Sequence, residues 1–198
     1  MTRQTDAATL AAQLKQGGAA LFPTDTVVAL AAIPAAAEQL WGLKQRPANK
    51  AVILMGAHAD DLWPCLGMPV LPEWRTLAER HWPGALTLVL PAKGPVVDQL
   101  NPGGTSLGLR VPACPIALEL LRISGPLATT SANRSGEPAC TTADEASAAF
   151  PGVAQLGPMP WPTPSGQAST VLAWTAPGSW QLLRAGAVPP PDGAAPPL

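Results

Sequence analysis

Apolar residues along this chain fall into short runs punctuated by proline and glycine, with helical spacing between several of them. Leu10, Ala11 and Leu14 share one helical face behind Thr5 or Asp6, either of which can cap the first turn, and Gly17-Gly18 stops the helix. Residues 19–22 then read as a short buried strand ending at Pro23. A helical stretch over about 35–43 delivers Lys44 at its C-terminal end, and 51–55 is an apolar run of strand length. Helical spacing returns over 72–82, with Trp74, Leu77 and Ala78 on one face. Residues 86–90 and 106–111 read as strands, and 115–123 as a helix with proline in its first turn, ended near Gly125. Residues 127–130 form another strand, and Thr142-Ala143-Asp144-Glu145 fits a capping box opening the next helix. Strands over 169–174 and 180–183 close the fold. Helices and strands alternate imperfectly, which predicts an α+β (mixed α/β) class, with a mixed sheet flanked by helices.

At 198 residues the chain suits one substantial core, and residues 1–188 are expected to form a single domain. The proline- and glycine-rich stretch 151–166 is expected to be a long surface excursion, placed to act as a flap, and the tail 189–198 to be disordered. A hydrophobic content of 47% with 13% charged residues excludes a disordered polymer. The net charge of −1 gives no bulk attraction to nucleic acid, so an RNA contact would need a local patch such as Lys44, Arg46 and Lys50. Cys65, Cys114 and Cys140 lack metal-ligand or disulfide spacing and fit a reducing compartment. The N-terminus lacks the apolar core of a signal peptide, and no apolar run is long enough to cross a bilayer, which predicts a cytoplasmic chain without a membrane.

Candidate chemistry gathers at strand ends. Phe22-Pro23-Thr24-Asp25-Thr26 places two hydroxyls at a sheet edge, although an ordinary Asx-type turn explains the same residues. Lys44, Arg46 and Lys50 put three cations into seven residues of a chain with twelve. They suit either a solvated helix C-terminus or a phosphate site. Ser131 and Asn133 follow an apolar strand and precede Gly136, a turn that offers hydroxyl, amide and backbone donors to an anion or simply caps a connector. Ser106 and Arg110 share a strand face, and an arginine between Leu109 and Val111 needs a partner if buried. Ser169-Thr170 opens one late strand, and Arg184-Ala185-Gly186 ends another. His58 and His81 stand apart from each other and from any cysteine pair, so no metal site is expected. GxSxG, HExxH, Walker A and GxGxxG are absent.

The order of these pieces resembles the YrdC/Sua5 family, the L-threonylcarbamoyladenylate synthases of tRNA modification. The resemblance runs over roughly residues 8–188 through FPTDTVVALAA (22–32), LKQRPANKAVIL (43–54), HWPGALTLVLPA (81–92), SLGLRVPACPIALELL (106–121), PLATTSANRSGEP (126–138), ASTVL (168–172) and LLRAGAV (182–188). It implies a YrdC/RibB-like twisted sheet with a concave cleft. The implied reaction condenses L-threonine, bicarbonate and ATP into threonylcarbamoyl-AMP and pyrophosphate, with Mg²⁺ accompanying ATP. A downstream threonylcarbamoyl-transferase complex then acts on tRNA. Carried over by position, Lys44, Arg46 and Lys50 are the implied catalytic cations, and Arg46, Lys50, Ser106, Ser131, Asn133 and Arg184 the implied nucleotide contacts. Thr24, Arg110 and Ser169 are the implied L-threonine contacts.

Two positions depart from the family pattern PT(D/E)TVYGL. Val28 stands for the tyrosine, removing a ring and a hydroxyl, and Ala29 for the glycine, where a Cβ is strained if the backbone takes positive φ. They leave open a divergent relative that binds RNA or forms a different carbamoyl- or acyl-adenylate.

Overall fold

The structure, a computed structural model, describes residues 4–47, 50–190 and 193–196. Its elements are β1 (Gln4–Thr5), α1 (Ala7–Lys15), β2 (Ala19–Phe22), β3 (Ala29–Ala32), α2 (Glu38–Lys44), β4 (Ile53–Met55), α3 (Ala59–Leu62), α4 (Pro72–His81), β5 (Leu86–Pro91), α5 (Pro95–Leu100), β6 (Ser106–Arg110), α6 (Pro115–Ser124), β7 (Leu127–Ser131), α7 (Ala143–Ala149), β8 (Ala154–Leu156), β9 (Thr170–Ala176) and β10 (Ser179–Arg184). The strands pair into one mixed, unclosed sheet in the order β1-β8-β2-β3-β7-β4-β6-β5-β9-β10. Hairpin-like pairs such as β2–β3 and β9–β10 are antiparallel, whereas β4–β6 and β5–β9 run parallel.

Side chains alternate across this sheet, and the two faces are covered differently. Leu30, Leu54, Leu88, Leu109, Ala128 and Leu172 fill one face. They pack with Leu40 and Trp41 of α2, Trp74 and Leu77 of α4, and Val97 and Leu100 of α5. On the other face, Ala29, Ala31, Met55 and Leu127 lie under Leu10 and Leu14 of α1 and Leu120 and Leu121 of α6. Each fully buried leucine contributes roughly 1.5–3 kcal/mol relative to exposure. This second layer stops short of β5 and β9. Beyond it Ile53, Thr87, Arg110, Thr129, Ser131 and Val171 line an open cleft.

Several elements differ from the sequence-based expectation. β3 was not expected, because alanine has poor strand propensity. Its four residues are nonetheless all buried between β2 and β7, where small side chains let both layers approach. Ala29 therefore sits in ordinary extended backbone. The anticipated positive-φ strain is absent there, and among the described residues Gln45, at 52°, is the sole non-glycine with positive φ. The stretch 151–166 is not wholly an excursion, since β8 inserts between β1 and β2. Its far end docks on the 24–26 turn, where the Ser165 and Gly166 N–H groups donate to the Asp25 and Thr26 carbonyls at 3.0 and 2.9 Å. In the tail expected to be disordered, Ala195 exchanges backbone hydrogen bonds with Trp180 and Leu182, each 2.9 Å. Residues 191–192 and 197–198 lie outside the described residues.

Candidate active site

Three strand or helix ends each send one arginine into a cleft of about 250 Å³. The first is set by the left-handed cap at Gln45, which turns the chain out of α2 so that Arg46 points across the sheet. Its Nη1 donates to Thr130 Oγ1 at 3.3 Å and its Nη2 to the Ala51 carbonyl at 3.1 Å. Its Nε is buried without a partner among the described residues. Arg110, at the end of β6, spends three N–H groups on protein. Nε reaches the Gly84 carbonyl at 3.0 Å, Nη1 reaches Thr26 Oγ1 at 2.9 Å, and Nη2 reaches Asp25 Oδ1 at 2.7 Å. Arg184, at the end of β10, is held by the Ser169 carbonyl at 2.9 and 3.0 Å and by Ser169 Oγ at 3.1 Å. Thr87 Oγ1, 2.8 Å from Ser169 Oγ, backs that contact. Burial disfavours the charged form of all three guanidiniums and lowers their pKa values. Gly186 lets the β10 exit close over this corner, because a Cβ there would lie 2.3 Å from the Ala168 carbonyl oxygen.

Of the expected site residues, Thr24, Arg46, Arg110, Ser131, Ser169 and Arg184 line this cleft, and Lys44, Lys50, Ser106 and Asn133 are not among its lining residues. Lys44, expected beside the phosphates, is instead 2% exposed and committed to the protein. Its ammonium donates to the Ser131 carbonyl at 2.5 Å, the Asn133 carbonyl at 2.8 Å and Asn133 Oδ1 at 2.9 Å, which uses all three donors. The Asn133 carboxamide is likewise consumed. Its oxygen also accepts Ser131 Oγ–H at 2.6 Å, and its nitrogen donates to the Arg134 and Glu137 carbonyls, each at 2.8 Å. Lys44 and Asn133 thus build the turn that presents Ser131 rather than facing the cleft. The Thr24 hydroxyl donates to the Val27 carbonyl at 2.6 Å and accepts the Thr26 and Val27 N–H groups, so it shapes its own turn. Ser106 lies at the opposite end of β6 from Arg110. Lys50 is exposed and precedes Ala51 of the lining, while residues 48 and 49 lie outside the described set.

Sequence reasoning missed Thr87 and Thr130 as cleft residues, offered Thr26 only as one of two hydroxyls at a sheet edge, and took Asp25 for a local turn. Threonine in strands signals nothing by itself, and the partner of Asp25 lies 85 residues away.

The Sua5/YciO/YrdC family profile, described as telomere recombination, matches residues 12–186. The chain belongs to this family. The Bacillus subtilis threonylcarbamoyl-AMP synthase is 36% identical over 184 residues, which cover 87% of this chain and 51% of that protein. A threonylcarbamoyl-AMP synthase of Stenotrophomonas maltophilia is 39% identical, covering 68% of this chain and 75% of the relative. The crystal structure of Pyrococcus abyssi Sua5 complexed with L-threonine superposes with a TM-score of 0.85 at 32% identity, covering 96% of this chain and 58% of that one. The chain thus spans about half the length of several curated relatives it matches. In this Sua5/YrdC domain, Val28 is 1% exposed, belongs to the core and borders the cleft. A tyrosine placed there would have to enter the cleft or displace core side chains.

Proposed function

We propose that this chain is a threonylcarbamoyl-AMP synthase, its unit of function being residues 1–188 as one domain. The observation that carries the reading is the convergence of Arg46, Arg110 and Arg184 on one cleft in a chain whose net charge is −1. Arg46 and Arg184 have no carboxylate partner among the described residues, and guanidiniums so placed at a cleft are sites for anionic ligands, whereas Arg110 is paired with Asp25. Arg46, with Lys50 near it in the chain and the Ser131 hydroxyl opposite, would meet the triphosphate of ATP. Arg110, with two N–H groups not committed to described residues, would take the carboxylate of L-threonine, with Thr26 and Ser169 beside it. Ser106 is too far along β6 to join either group without movement.

In the reaction so assigned, the threonine amine and bicarbonate combine with loss of water to give an N-carboxylate. One oxygen of that group attacks the α-phosphorus, the bond from α-phosphorus to the β-bridging oxygen breaks, and pyrophosphate leaves. The carbamate is already anionic, so the protein needs no nucleophile of its own. Alignment and fixed positive charge carry the acceleration. Mg²⁺ is expected to arrive on ATP's own oxygens. Among the described residues no group of three His, Cys, Asp or Glu could hold a metal, and Asp25 is occupied by Arg110. The product would pass to a threonylcarbamoyl-transferase complex acting on tRNA. No described helix is long and apolar enough to cross a membrane, and a cytoplasmic site of action agrees with that chemistry.

Incubation with ATP, Mg²⁺, bicarbonate and L-threonine should yield threonylcarbamoyl-AMP and pyrophosphate, and omission of threonine should abolish the product. ATP consumption that ignores threonine would overturn the assignment.

The Lys44 ammonium supplies a pH dependence. Burial, aided by the charge of Arg46, pulls its pKa from 10.5 to about 8. Between those values the unfolded chain keeps a proton that the folded chain has released, so this group makes stability rise with pH. The neutral amine nevertheless has two donors for three acceptors, and the turn carrying Ser131 loosens. ATP affinity is expected to fall above about pH 8 without a parallel fall in the thermal midpoint. Titrations of a non-hydrolysable ATP analogue and thermal melts across the same pH series check this. Parallel losses in both would refute it.

A further inference from the structure

The cleft's three arginines differ in charge compensation. Arg46 has no carboxylate partner among the described residues, and Lys50 follows it in the chain. Arg110 and Arg184 line the same cleft, where the charge of Arg184 disfavours that of Arg110. Among the described residues one carboxylate pairs with this pole. Asp25 Oδ1 lies 2.7 Å from Arg110 Nη2 in a pair whose side chains are 17% and 4% exposed. The same oxygen accepts the Ala113 N–H at 3.0 Å. The Asp25 carbonyl also holds Ser165, on the segment that leads to Ser169 and hence to Arg184.

We propose that Asp25 is a specificity-determining positioning residue: it cancels one of the two positive charges at the Arg110–Arg184 pole, so that this pole accepts a monoanionic carboxylate and leaves polyphosphate to Arg46 and Lys50. The inference rests on the reading of the cleft as a nucleotide and amino-acid site. With the Asp25 carboxylate in place, the pole offers one net positive charge and two guanidinium N–H groups not committed to described residues, which match a carboxylate. Without that charge the same pole carries two positive charges and becomes a second site for phosphate oxygens. The two ends of the substrate pair would then compete for either pole. Thr26, Gly84 and Ala113 fix geometry in this network, and only Asp25 sets its charge.

Asp25→Asn keeps an oxygen for Arg110 and Ala113 while removing the charge. Calorimetric titration of the full chain with inorganic pyrophosphate and with L-threonine reads the consequence directly. The wild type is expected to bind one pyrophosphate, insensitive to saturating L-threonine. D25N is expected to bind a second pyrophosphate that L-threonine displaces, with threonine affinity reduced about tenfold. D25E should return to the wild-type pattern. D25N/R184Q, which restores the net charge of the pole, should lose the second pyrophosphate. A single pyrophosphate in D25N, or a second one retained in D25E or in D25N/R184Q, overturns the proposal. A defect of packing alone would leave the pyrophosphate count at one. Wild type that binds pyrophosphate but not L-threonine would overturn the threonine reading by itself, because the pyrophosphate count in D25N still decides the charge argument.

Discussion

Replacing Arg46 with alanine is expected to lower kcat/KM for ATP by about 10- to 100-fold, the loss of one charge-assisted contact of ~1.5–3 kcal/mol, while the thermal midpoint stays level or rises. The two halves of this result come from the same geometry. Arg46 is half-buried and has no carboxylate partner, and its Nε lacks any acceptor among the described residues. Its two protein hydrogen bonds, at 3.1 and 3.3 Å, are long. Folding therefore gains little from this side chain and bears the cost of desolvating it. Such a residue is stabilised by an anion that arrives from outside. Parallel measurement of steady-state kinetics and thermal unfolding separates the possibilities. A midpoint falling together with activity would make Arg46 a structural residue and would remove the main support for the phosphate end of the cleft.

Lys44, two residues earlier, is expected to give the opposite pattern. Lys44→Met keeps much of the side-chain volume and removes three donors. The Asn133 carbonyl loses its ammonium partner, whereas the Ser131 carbonyl keeps the Asn133 N–H at 3.1 Å and Asn133 Oδ1 keeps the Ser131 hydroxyl. Leaving one half-buried acceptor unmet costs ~1–3 kcal/mol, partly offset because the desolvated charge also disappears. A net destabilisation of about 1–2 kcal/mol is expected, visible as a lower urea midpoint at unchanged slope. Activity should fall as well, through displacement of Ser131 rather than loss of a ligand contact. A chain carrying Lys44→Met at wild-type stability would show that the ammonium does not hold this turn.

The contrast between these neighbours marks where the sequence is legible. Leucine-containing strands such as β5 and β6, and the capping box at Thr142 and Glu145, can be read locally, because period and caps are local properties. β3 and β8 cannot. An Ala-Leu-Ala-Ala run and a three-residue strand become strands only because neighbours on both sides bond to them. The candidate site divides in the same way. Arg46, Arg110 and Arg184 stand at element ends and were recognisable as cations in want of a partner. Whether a cation faces a ligand or the protein depends on contacts far along the chain. Lys44 meets Asn133 at a separation of 89 residues, and Arg110 meets Asp25 at 85. Asp25 read as a turn residue because nothing within its own segment reveals its distant arginine.

The proline-rich tail has a consequence beyond the fold itself. β10 is the last strand of an open sheet and carries Leu183, half exposed. Ala195 lies against it, accepting from the Leu182 N–H and donating to the Trp180 carbonyl. An uncovered edge of this kind is a template for the strand of another molecule, and proline nearby discourages further growth. Through this one residue the tail covers part of that edge. Trimming the chain after Val188 is expected to leave the cleft's arginines in place and to increase edge-to-edge self-association, which light scattering would read.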